Sequence, residues 1–192
     1  MTAAARRHAE RRQIELDLAQ VATPMPAGPF SVVLADPPWR FNLRSIETGG
    51  GRQPLYPTMT LEEIAAMSVP AARDAVLFLW ATSPMTPQAF EVMAAWGFVY
   101  STHMVWVKDK DGLGYRVRNR HELLLIGRRG RLRVPRVTKP SSVIEAPRGR
   151  HSEKPEAFQQ LIERLYPGES KLELFARRTR PGWTCWGNEV TP

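Results

Sequence analysis

Six short apolar runs, set between stretches of helical spacing and closed by turn residues, predict an α/β fold of Rossmann-like layout. In it a mostly parallel sheet carries helices on both faces. Most of the runs are continuous rather than alternating, as expected of strands buried on both faces. Polar side chains follow several of the runs directly, where an open α/β sheet presents its ligand crevice.

Residues 2–20 read as a polar, basic helix, and a Pro/Gly-rich connection follows over 23–29. Residues 1–29 are therefore taken as an N-terminal helix and linker, and 30–192 as a single domain. The first strand spans 30–35 and is stopped by Asp36-Pro-Pro-Trp39, because a proline cannot donate to a sheet ladder. Residues 40–57 are Gly-rich and irregular, and a loop of that length is usually functional or disordered. Thr60 with Glu63 makes a capping-box start for a helix over 60–67. A second strand is expected over 75–80. A helix follows over 87–96, closed by Gly97. Further strands are expected over 103–108, 122–127, 171–176 and 183–186. Between the last two pairs lies a helix over 154–165, with Phe158, Leu161, Ile162 and Leu165 on one face.

The formal net charge is +8, which favours a polyanionic partner through counterion release. Arginines crowd residues 127–140 in a segment broken by prolines and glycines. It reads either as a basic loop that grips phosphates, through Arg128, Arg129, Arg131 and Arg133, or as a solvated connection. No apolar run approaches the ~20 residues of a membrane span. The start of the chain lacks the apolar stretch of a secretory signal, so a cytoplasmic location is expected. A single cysteine and histidines without ligand spacing argue against a metal site.

The segment after the first strand carries the most specific chemistry. The Asp36 carboxylate and the Pro37 carbonyl can each accept a hydrogen bond from one N–H of an aromatic amine. Pro37 and Pro38 stiffen the backbone, so that carbonyl points in a fixed direction. Trp39 offers a flat face for a stacked base.

Leu34-Ala-Asp-Pro-Pro-Trp39 resembles the catalytic motif of the MT-A seventy family, β-class adenine-N6 methyltransferases with bacterial, phage and eukaryotic members. Tyr56-Pro-Thr-Met-Thr60, Leu77-Phe-Leu-Trp80, Val105-Trp-Val-Lys108, His151-Ser-Glu-Lys-Pro155, Leu172-Glu-Leu-Phe-Ala-Arg177 and Trp186-Gly-Asn-Glu189 follow in family order. The resemblance implies the class I methyltransferase version of the fold, in the permuted order of the β class. It implies S-adenosylmethionine as cofactor and nucleic acid as partner. Asp36, Pro37, Pro38 and Trp39 take the catalytic role. Asp36, Lys154, Arg177, Asn188 and Glu189 fall to the cofactor, with Glu173 on the cofactor strand. Tyr56, Lys108, Asn119 and Glu122 fall to the target adenosine. By itself, Glu173 between Leu172 and Leu174 is either partnered near the site or on a solvated face. One departure lies at Thr179-Arg180, where the RNA enzyme has a His-Asn pair near the ribose. DNA is the preferred substrate, RNA the runner-up, and a non-catalytic nucleic-acid-binding subunit the reading from another class. The oligomeric state is left as monomer or homodimer.

Overall fold

The computed structural model describes residues 24–40, 58–112, 114, 116–133, 139–149, 153–188 and 190. The expected N-terminal helix, most of the 40–57 loop with Tyr56, and Glu189 lie outside the described residues.

Seven strands are described: β1 (Phe30–Ala35), β2 (Ala71–Ala81), β3 (Val99–Val107), β4 (His121–Arg129), β5 (Val143–Glu145), β6 (Lys171–Leu174) and β7 (Thr184–Trp186). The helices are α1 (Leu61–Ala65), α2 (Thr86–Ala95) and α3 (Glu156–Leu165). The strands form one sheet in the order β5-β3-β4-β2-β1-β6-β7. Its neighbours pair in parallel except along β4, which runs antiparallel to both β2 and β3.

The reversal of β4 has a local cause. Among its described residues the polar link from β3 holds no helix, and a parallel partner needs a crossover, usually helical. The chain turns back instead, with Lys108 N–H on the Arg120 carbonyl at 2.8 Å and Gly112 N–H on that of Asn119 at 2.8 Å. The beginning of β4 therefore lies beside the carboxyl ends of β2 and β3, and its last residues lie at the opposite end of the sheet. Edge strand β5 was not anticipated from the sequence, because three residues of Val-Ile-Glu carry too little pattern.

Alternation along β1 and β2 explains the continuous apolar runs. Val33, Ala35, Leu77 and Leu79 pack with Ile64 of α1 and Ala89, Val92 and Met93 of α2. Val32, Leu34, Val76, Phe78 and Trp80 pack with Phe158, Leu161 and Ile162 of α3. Helices thus cover both faces, as expected of a buried parallel sheet. The capping box at α1 is formed in both directions: Thr60 N–H donates to Glu63 Oε2 at 2.7 Å, and Glu63 N–H to Thr60 Oγ1 at 3.2 Å. Gly97 ends α2 with φ at 78°, a conformation that a side chain at this position would oppose.

The segment between β6 and β7 is fastened to α3. Arg180 donates to both oxygens of Glu163, at 2.6 and 3.1 Å, and Trp183 Nε1 donates to Oε1 at 2.7 Å. Glu163→Ala removes all three bonds. With the pair partly exposed to solvent, a loss of about 2 kcal/mol is expected. That corresponds to a fall in Tm of roughly 4–8 °C in a thermal melt. An unchanged Tm would show that the fastening contributes nothing.

Candidate active site

The carboxyl ends of β1, β2 and β3 and the beginning of β4 bring four charged side chains into one alternating chain. Lys154 Nζ lies 2.6 Å from Asp36 Oδ2 and 3.5 Å from Glu122 Oε2, and Lys108 Nζ lies 2.6 Å from Glu122 Oε1. The residues are far apart in sequence, and the topology explains their meeting. Asp36 follows β1, Lys108 follows β3, and Glu122 is the second residue of the reversed strand β4. Lys154 stands just ahead of α3, the helix that covers this face of the sheet.

Both ammonium groups rest over indole rings. Lys154 Nζ is 5.5 Å from the Trp80 ring centre and Lys108 Nζ is 4.9 Å from that of Trp106. The two indoles meet edge to face at 6.2 Å, and Trp80 packs on Phe158 of α3 at 4.8 Å. A cation over an indole is stabilised by the ring quadrupole, more so where water is scarce. Trp80 is thus a core residue, as its strand position suggested, that also supports Lys154.

Burial pushes the Asp36 carboxyl above its ordinary range, and the charges of Lys154 and Arg177 offset part of that rise. Desolvation works to lower Lys154, but the carboxylates of Asp36 and Glu122 outweigh it and hold the ammonium protonated. Glu173 is pushed up to about 7, first by burial, then partly offset by a 2.8 Å hydrogen bond from Gln159. The folded chain therefore binds the Glu173 proton more tightly than the unfolded chain does. Its contribution to stability is fully present below about pH 4.5 and is lost as pH rises through about 7. Glu173→Gln is expected to raise Tm over the parent by a margin that grows between about pH 5 and pH 8. A margin constant across that range would mean Glu173 titrates normally.

The backbone around the tetrapeptide is fixed. Trp39 N–H donates to the Pro37 carbonyl at 2.8 Å, and Trp39 pairs with Met59 in an isolated parallel bridge. A carbonyl has two lone pairs, so that of Pro37 retains one for a further donor. The expectation that Trp39 offers an open stacking face is corrected. The ring is 4% exposed, lies in the core with α1 and α2, and donates Nε1–H to the Trp80 carbonyl at 3.2 Å. A large ring next to an apolar strand gains more from that burial than from solvent exposure. Its role here is to hold the loop.

Across β1, the turn after β6 meets the turn after β7. Ala176 N–H donates to the Trp186 carbonyl at 2.9 Å, and a Cβ on Gly187 would stand 2.2 Å from the Ala176 carbonyl oxygen. Only glycine permits that approach, which brings Asn188 beside the turn carrying Arg177. Phe175, between β6 and Arg177, has φ at 62°. A left-handed residue other than glycine costs about 1–2 kcal/mol, and such outliers collect at ligand sites.

The donor set fits S-adenosylmethionine. An ammonium and a carboxylate 2.6 Å apart, Lys154 and Asp36, match the oppositely charged ends of an amino acid. Arg177 and Asn188 offer polar groups for hydroxyls beside the strained turn.

Residues 30–189 match MT-A70. The chain belongs to the MT-A70 family. It is 32% identical over 193 aligned positions to the type II methyltransferase M.MunI of Mycoplasma sp, covering 90% of this chain and 83% of that protein. It is 30% identical over 174 positions to the N(6)-adenosine-methyltransferase catalytic subunit METTL3 of Homo sapiens, and likewise to the N(6)-adenosine-methyltransferase MT-A70-like protein of Drosophila melanogaster. Those two matches cover 85% of this chain but only 28% and 27% of the respective relatives. The seven-stranded sheet is consistent with the Rossmann-like architecture expected of the family. No helix among the described residues is long and apolar enough to cross a membrane.

Of the residues that the motif order assigned, Asp36, Lys108, Glu122 and Lys154 meet directly, with Pro37 next to Asp36 in the chain and Arg177 near enough to influence Asp36. Asn119 lies two residues ahead of β4, at the same end. The fork over Glu173 resolves to a partnered carboxylate, and the departure at Arg180 is explained by its commitment to Glu163. The arginine cluster lies apart from the charged chain. Arg128 and Arg129 are the last two residues of β4 and pair with Val76 and Ala75, at the start of β2. Six residues at about 3.4 Å each separate Arg128 from Glu122, roughly 20 Å. Arg131 and Arg133 follow at that far end, where Arg131 N–H donates to Asp74 Oδ1 at 2.6 Å. The proline-rich composition concealed that the segment begins as a strand. Arg148 instead comes back to the site end, bonded to Asp109. Sequence reasoning missed Gln159 and the aromatic support of the lysines, because no local spacing links them to the motifs.

Proposed function

We propose that the protein transfers a methyl group from S-adenosylmethionine to the N6 amine of adenine, with DNA as substrate. The observation that carries this is the Asp36–Lys154 pair immediately beside the fixed Pro37 carbonyl. S-adenosylmethionine, when bound, supplies an electrophilic methyl group whose leaving group is a neutral thioether.

The chain's own work is to make a weak nucleophile reactive. The N6 lone pair of adenine is delocalised into the ring. The Asp36 carboxylate and the free lone pair of the Pro37 carbonyl accept the two N–H hydrogens. That favours a pyramidal nitrogen with its lone pair localised and aimed. Lys154 holds the carboxylate in place and keeps a positive charge beside it, so Asp36 stays available as an acceptor despite its burial. Lys154 and Asp36 would hold the amino-acid end of the cofactor, and Arg177 and Asn188 its ribose. Glu122 and Lys108 would line the adenine pocket, Lys108 held by Glu122. Lys154, Arg177 and Asn188 are all retained, which argues against a subunit that only grips nucleic acid.

Support for DNA comes from the likeness to the type II methyltransferase, which extends over nearly the full length of both chains. Incubation with methyl-labelled cofactor and a panel of single- and double-stranded DNA and RNA tests this, read by digestion to nucleosides. Label on N6-methyldeoxyadenosine is the expected result. Label on N6-methyladenosine alone would overturn the DNA assignment, and label on neither would overturn the activity.

A further inference from the structure

A cavity lies away from Asp36, on the face of the sheet that α3 covers. It encloses about 970 Å³, and its floor is formed by Val76, Phe78, Met104 and Ile126. Arg128 and Lys139 stand on its wall, both exposed. The C-terminal end of α3 contributes Tyr166, which is 5% exposed. Among the described residues its hydroxyl has no hydrogen-bond partner, and burial alone pushes its acidity weaker. That hydroxyl is a donor and an acceptor beside an apolar floor and two cations.

We propose that this cavity takes one unstacked nucleotide of the DNA strand, distal to the target adenine. An apolar floor suits the face of a base, the Tyr166 hydroxyl suits its polar edge, and Arg128 and Lys139 suit its phosphate. The volume is ample for one nucleotide. The cavity also gives a partner to Arg128, which lies roughly 20 Å from Glu122. That span equals about six nucleotides at the ~3.4 Å duplex rise and about three where the strand is unstacked and extended. The inference rests on the proposed nucleic-acid substrate but not on methyl transfer, so the two fail separately.

The test is binding by fluorescence anisotropy, with single-stranded DNA probes of ~2 and ~12 nucleotides, each containing one adenine. Even fully unstacked, at roughly twice the ~3.4 Å duplex rise per nucleotide, the short probe cannot bridge the two sites, and the long one can. The double substitution Arg128→Gln, Lys139→Gln is expected to weaken the long probe about ten-fold and to lower its salt slope by about 2. It should leave the short probe unchanged. Tyr166→Phe, which removes one oxygen, is expected to weaken the long probe about three-fold, in line with the loss of one hydrogen bond. Ser142→Trp, at an exposed position lining the cavity, is expected to act like the double substitution by filling it. Equal losses on both probes, no loss, or no binding of the long probe overturns the proposal. So does free deoxyadenosine monophosphate binding as tightly as the long probe, which would make the cavity a site for a small nucleotide. Absence of methyl transfer in the labelling experiment, with the length dependence intact, would remove the enzymatic reading alone.

Discussion

Asp36→Ala is expected to lower kcat at least about 10³-fold while the protein stays folded and binds DNA nearly as the parent does. Removing one preorganised polar group from a site of charge reorganisation costs about 10²–10³ in rate. Asp36 does more than one such group, since it accepts from the amine and also anchors Lys154. The fold survives because Lys154 is not stranded: Glu122 Oε2 remains 3.5 Å from its ammonium, and the Trp80 ring lies 5.5 Å away. Without Glu122, an unpaired buried ammonium would cost several kcal/mol. Single-turnover methyl transfer, thermal melting and DNA anisotropy on one preparation separate the possibilities. Parental turnover would refute the acceptor role of Asp36. Loss of folding together with turnover would mean the pair is structural first.

How much of this could be seen without coordinates depends on the range of the interaction. The strand cores, the Thr60 cap and the helix with Phe158, Leu161 and Ile162 on one face are local patterns, and each lies within a few residues of its expected place. The charged chain was legible only through motif order, since Asp36 and Lys154 are 118 residues apart. The reversal of β4 has no signature inside the strand itself. Its evidence is the absence of a helix among the described residues of the preceding link, and it carries the arginines to the end of the sheet away from Glu122. Trp39 was misread for a related reason. The sequence shows a large aromatic next to a carboxylate, but only the Nε1–H bond to Trp80 and the neighbouring helices reveal that the ring turns inward. Gln159 and Glu163 sit on the polar side of a helix, where side chains that bond to a neighbouring strand or turn look no different from solvated ones.

Lys154→Met tests the electrostatic half of the site, and its effect has a sign that a purely steric role would not produce. Methionine keeps much of the length and apolar stem but removes the one cation between Asp36 and Glu122. Two partly buried carboxylates then face each other, and like charges at close range raise the pKa of at least one of them. Asp36 already sits above its ordinary range with the lysine present. The acid limb of the kcat profile is therefore expected to move alkaline. KM for S-adenosylmethionine is expected to rise about 100-fold, since the cofactor's carboxylate loses its counter-charge. Stability moves the same way. With a raised folded pKa, the site's contribution is present at low pH and is lost as pH rises, so the Tm deficit of Lys154→Met should widen from about pH 5 to about pH 8. A KM increase with an unshifted acid limb would leave Lys154 as a cofactor ligand only, and Asp36 would need another source of its charge.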